Sequence, residues 1–77
     1  MDTNRIEINP KIMMGKPVIK GTRITVESIL EELAEGATSE DLLEAHPRLT
    51  AIDILAALGF AAQSLKGESI YPISQAA

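Results

Sequence analysis

Chemistry at a protein site needs a nucleophile with a base, a set of metal ligands, or fixed charges that meet a charged partner. This chain of 77 residues has one histidine and no cysteine. His46 precedes Pro47, where a cation near a helix C-terminus is favoured, so it reads as structural. No nucleophile–base pair can be assembled, and no His/Asp/Glu spacing resembles a ligand set. Gly15-Lys16-Pro17 with Gly21 lacks the spacing and the trailing Lys-Ser/Thr of a phosphate-binding loop. The inventory argues against an enzyme, and no cofactor, metal or small-molecule ligand is expected.

What remains is charge, and it is unevenly placed. Residues 1–25 hold five cations against two acids; residues 26–77 hold two cations against nine acids. Lys11, Lys16, Lys20 and Arg23 are the candidate nucleic-acid contacts, as phosphate anchors or as a β-ribbon reader. The plainer alternative is a solvated face, with Arg23 bridging to an acid of the first helix. Glu27, Glu31 and Glu35 recur at helical spacing, and Glu40 and Glu44 repeat the pattern further on. Like charges four apart cost about 0.2–0.5 kcal/mol per pair. Such a stripe is solvated, meets the basic hairpin, or meets a basic protein partner.

The elements that must position these charges can be read from spacing. Ile6-Glu7-Ile8 alternates and stops at Pro10, as a short edge strand does. Pro17-Val18-Ile19 and Arg23-Ile24-Thr25-Val26 flank Lys20-Gly21, a tight turn in which Gly21 supplies the positive φ. A first helix spans 26–35, capped by Thr25 and closed by Gly36. A second spans 39–46, with Thr38 and Asp41 as a capping box and Pro47 as its stop. A third runs from after Thr50, with Asp53 in the matching position, to Lys66, and Gly67 ends it. The expected fold class is mainly α: a short N-terminal β-hairpin segment (1–25), a three-helix bundle resembling a helix-turn-helix (26–67) and a tail (68–77), one domain overall. The tail carries Ile70-Tyr71-Pro72-Ile73.

The third helix bears directly on partners. Ile54, Leu55, Leu58, Ala61 and Leu65 form an apolar face expected to pack on the first two helices. Ile52, Ala56, Gly59 and Gln63 form a second, small-sided and uncharged face. A helix apolar on most sides should be buried on most sides. A chain this short buries little surface alone and has no disulfides to help. The expectation is a C2 homodimer with this second face at the seam. The alternative is that the hairpin covers it within one chain. The first turn of this helix presents Thr50, Ala51, Ile52 and Asp53, not the Arg, Asn or Gln that read base edges. No apolar signal core follows Met1-Asp2-Thr3-Asn4-Arg5, and the uncharged run 54–62 is too short to cross a bilayer. A soluble cytoplasmic protein with no membrane contact is therefore expected.

The string Gly15-Lys16-Pro17-Val18-Ile19-Lys20-Gly21-Thr22-Arg23-Ile24-Thr25-Val26 resembles the signature of the domain-of-unknown-function family 433. So do Ile8-Asn9-Pro10, Leu33-Ala34-Glu35-Gly36, the run from Leu42 to Thr50, and Asp53-Ile54 with Ala56-Ala57. The likeness covers 6–67. It implies a small helix-turn-helix-like, homeodomain-like fold. It also implies, for some bacterial relatives, the role of antitoxin in type II toxin–antitoxin modules, paired with a PIN-like ribonuclease. On that likeness the chain is expected to be a non-enzymatic antitoxin-like protein that neutralises such a toxin. The alternative expectation is a dimeric DNA-binding regulator that uses the basic hairpin. The family offers no catalytic residues to carry over.

Overall fold

The computed structural model describes residues 3–67. The tail expected over 68–77, with its Ile70–Ile73 segment, lies outside them. The fold is mainly helical: a two-stranded antiparallel hairpin and then three helices. Strand β1 is Ile6–Glu7 and β2 is Val18–Ile19, paired Ile6 to Ile19 and Glu7 to Val18. Helices α1, α2 and α3 are Val26–Ala34, Ser39–Ala45 and Ala51–Gly67.

Strand β2 is held from both sides. On one side it pairs with β1, and Lys20 N donates to Arg5 O at 2.8 Å. On the other, a single bridge joins Val18 to Thr25, and Ile19 N donates to Ile24 O at 2.9 Å. The two strands expected around Lys20-Gly21 are thus reduced to a turn and one bridge; the true partner of β2 is β1, across the loop 8–17. Gly21 has φ +81°, as the turn requires. Thr22 organises the same turn. Its hydroxyl donates to Ile19 O at 2.8 Å and accepts from Ile24 N at 3.0 Å. In the connecting loop, Met13 and Met14 adopt left-handed φ of 49° and 58°, a conformation that costs residues with a Cβ roughly 1–2 kcal/mol each.

Local chemistry sets the helix ends. Thr25 Oγ1 accepts from Ser28 N at 2.9 Å and opens α1. Gly36, at φ +105°, closes it: Gly36 N donates to Leu33 O and Ala37 N to Glu32 O, both at 3.0 Å, the paired bonds of a Schellman ending. Thr38 and Asp41 exchange both bonds of a capping box at the start of α2. Thr50 and Asp53 do the same for α3.

The core draws on every element. Ile19 of the hairpin, Val26 and Ile29 of α1, Leu42 of α2, Leu49 of the turn, and Ile54 and Ala57 of α3 form one buried cluster. Ile6, Ile24, Leu30, Leu33, Leu43 and Phe60 pack against it.

The rotation of α3 differs from the sequence expectation. Asp53, Ile54, Ala56 and Ala57 are its buried residues. Leu55, Leu58 and Leu65, expected inside, are exposed. Ala56, expected at a dimer seam, is sealed within its own chain at 4 % exposure. The physical reason is a polar lock. Arg5 Nη1 lies 3.0 Å from Asp53 Oδ1, and the other Asp53 oxygen accepts from Thr50 N. A carboxylate that caps its own helix and pairs with Arg5 must face the N-terminal segment, and this choice carries Ala56 and Ala57 inward with it.

Candidate functional site

Three surfaces carry the residues that the sequence singles out. On the basic hairpin, Lys11, Lys16, Lys20 and Arg23 are all exposed. They are not equivalent. Lys16 Nζ lies 3.0 Å from Glu27 Oε1, so one of the four cations is met by the first acid of α1. The expected bridge from the hairpin to that helix therefore exists, through Lys16 and not through Arg23. Both partners are about half exposed, which keeps the pair weak.

Arg48 joins this surface from the turn between α2 and α3. Its Nη2 donates to Gly21 O at 3.0 Å and ties that turn to the hairpin. Arg48 and Arg23 line a shallow cleft of about 500 Å³ with Glu7, Ile12, Thr22 and Ile24. The pairing of residues 21 and 48 follows from tertiary docking. The sequence signal for it was slight: Arg48 is one of two cations in an acidic half.

The acidic surface lies on α1 and α2. Glu27, Glu31, Glu35, Glu40 and Glu44 are all exposed. Among the described residues, no cation pairs with Glu31, Glu35, Glu40 or Glu44. Glu32 belongs elsewhere: His46 Nε2 lies 3.1 Å from Glu32 Oε2, half-buried, and links the end of α2 to α1. This agrees with a structural reading of His46.

The third surface is the outer side of α3. Of the four residues expected at a seam, Ile52 and Gln63 are exposed, Gly59 is half-buried and Ala56 is buried, so they do not form one open face. The first turn of α3 offers no base reader. Asp53, which would repel phosphate if it projected outward, is turned inward. Burial pushes its carboxyl up, but the hydrogen bonds from Thr50 and Arg5 and the charge of Arg5 outweigh that and hold it below the ordinary aspartate value.

No group of three or more metal-ligating side chains exists among the described residues, and no helix there is long and apolar enough to cross a membrane. The class of protein that these features define is a small, mainly helical domain with separate basic, acidic and apolar surfaces. The chain belongs to the DUF433 family of proteins of unknown function, whose model matches residues 6–61. It is 40% identical over 60 residues to the uncharacterized protein y4eO of Sinorhizobium fredii (strain NBRC 101917 / NGR234). That match covers 77% of this chain and 27% of the relative, so the chain spans about a quarter of the relative's length. Its fold is similar to the crystal structure of a DUF433 member protein from Anabaena variabilis, with a TM-score of 0.78 and 34% identity over 83% of this chain and 63% of that one.

Proposed function

We propose that this chain is a non-enzymatic cytoplasmic interaction protein, similar to an antitoxin, that binds and neutralises a basic nuclease of the PIN-like type. The observation that supports this reading is the set of exposed carboxylates without a cation among the described residues: Glu31 and Glu35 at the end of α1, and Glu40 and Glu44 on α2. Like charges four residues apart, as in Glu31/Glu35 and Glu40/Glu44, weaken a helix slightly, and a cationic partner turns that cost into attraction. Such complementarity speeds encounter and makes the complex salt-sensitive. Co-expression with the product of the adjacent gene tests the proposal: the two proteins should co-purify and the growth arrest that the partner causes alone should be rescued. Glu31→Lys with Glu35→Lys should lose both. Absence of a complex with the unaltered chain would overturn the reading.

A second reading has its own support. Arg23 and Arg48 flank one cleft, and Lys11 and Lys20 remain open to solvent, as phosphate contacts require. In this reading the protein is a dimeric DNA-binding regulator working through the hairpin. A mobility shift on its own promoter should weaken steeply with salt and vanish when Lys16, Lys20 and Arg23 are replaced by Ala. A shift indifferent to those changes would reject it.

A further inference from the structure

We infer that α3 is one strand of an antiparallel two-helix seam, and that its occupant is a second copy of this chain. The inference goes beyond the readings above and does not depend on either. It also replaces the face expected from the sequence with a different one.

The exposed residues of α3 carry the argument. Ala51, Leu55, Leu58, Ala62 and Leu65 are all open to solvent. They recur at steps of four, three, four and three, the spacing that keeps one stripe facing a partner helix in a coiled coil. None of the core residues Ile54, Ala56 or Ala57 belongs to this series. The stripe therefore lies on the side of α3 that the other described residues leave uncovered.

Charge and area select the occupant. Between Ala51 and Leu65 the one charged residue is Asp53, and it is turned inward to Arg5. A basic nuclease or a phosphate backbone finds no counter-charge here, whereas a second copy offers the same uncharged stripe. Leu55, Leu58 and Leu65, with Ile52 at the flank, are 66%, 41%, 64% and 51% exposed. Together they leave roughly 400 Å² of aliphatic surface in water on each copy, the size of patch that on monomers is often functional. Pairing two copies, with Ala62 included, brings the buried total toward the ~1,000 Å² that a specific interface needs.

The stripe is also self-complementary in one direction. Run antiparallel about a two-fold axis near Phe60, Leu58 faces Ala62 of the second copy and Leu55 faces Leu65 of the second copy. Large meets small at the centre, and large residues close both ends. A parallel pair would set Ala62 against Ala62 and leave a void there. The antiparallel arrangement also opposes the two helix dipoles favourably. At Leu65 the apolar surface continues into a groove between α1 and α3 lined by Pro17, Val26, Leu30 and Phe60.

The 77-residue chain has no cysteine, so introduced thiols report the register cleanly. Light scattering of the wild type at ~100 μM should give a two-copy mass, and Leu55→Glu, with its folding checked by circular dichroism, should pair at least ~100-fold more weakly because it buries an unpaired charge. Under mild oxidation a mixture of Leu58→Cys and Ala62→Cys proteins should form the mixed disulfide in preference to either homodimer, since only those two Cα atoms come within about 7 Å. A single-copy mass for the wild type overturns the inference. So does a dimer unaffected by Leu55→Glu. Homodimeric Leu58→Cys disulfides in place of mixed ones overturn the antiparallel register. A wild-type monomer that Leu55→Glu unfolds assigns the cover to the same chain and likewise overturns it.

Discussion

The two sides of α3 are built from the same few residue types and have opposite fates. The inner side, Asp53, Ile54, Ala56 and Ala57, is buried against the rest of the chain. The outer side is at least as greasy, yet Leu55, Leu58 and Leu65 stand in water. Hydrophobicity therefore did not choose which side went in. A polar lock chose it. The Asp53 carboxylate accepts from Thr50 N at its own helix terminus and from one guanidinium, while Asp53 N donates back to Thr50 Oγ1, and that geometry exists only with Asp53 facing Arg5. Small residues at Ala56 and Ala57 then let the neighbouring elements come close, and the larger leucines are left for another surface.

Breaking the lock should have the largest effect. Asp53→Ala removes the capping box of α3 and the charged hydrogen bond to Arg5, at a cost of about 2–3 kcal/mol in urea unfolding. The same carboxylate sets a pH dependence. Its native pKa lies below its unfolded one, so its contribution is complete above about pH 4 and is lost as the pH falls through the native value. Comparing urea midpoints at pH 7 and pH 3 should show a smaller acid loss in Asp53→Asn than in the wild type.

One substitution made on each side sharpens the contrast. Ala57 is wholly buried, and Ala57→Leu should cost roughly 1–3 kcal/mol by overpacking. A smaller loss is expected at the hairpin that closes over this core. Nothing lies within 4 Å of a Cβ built on Gly21, so Gly21→Ala tests backbone strain alone and should cost about 1 kcal/mol. The smallest effect belongs to the outer side. Ala62→Leu should change the stability of dilute protein by less than about 0.5 kcal/mol, while spoiling the fit against Leu58 of a second copy.

Much of the fold was legible because its punctuation is local. Thr25, Thr38 with Asp41, Thr50 with Asp53, Gly21 and Gly36 each do in the structure what their positions predict, since caps and turns depend on a few neighbouring atoms. The rest was not legible, for physical reasons. The partner of β2 lies across a ten-residue loop, and alternation over two or three residues cannot choose between Glu7 and Thr25 as neighbours of Val18. Arg5 and Asp53 are 48 positions apart, and nothing near either one names the other. Without that pair the rotation of α3 is undetermined, because a helix apolar all round carries no periodic signal. The candidate surfaces were legible as charge: the acids of α1 and α2 are exposed as expected. The arrival of Arg48 at the hairpin and the true open stripe of α3 required the tertiary structure.

The central claim is that one side of α3 makes the fold and the other side meets a second molecule. Urea unfolding of the wild type, Asp53→Ala and Leu55→Glu at ~1 μM and ~100 μM protein tests both halves at once. The wild-type midpoint should rise with concentration, as mass action requires of a folded state that pairs. Leu55→Glu should match the dilute wild type at both concentrations, and Asp53→Ala should fall well below it at both. A wild-type midpoint independent of concentration, or a loss in dilute Leu55→Glu as deep as that in Asp53→Ala, would contradict the account.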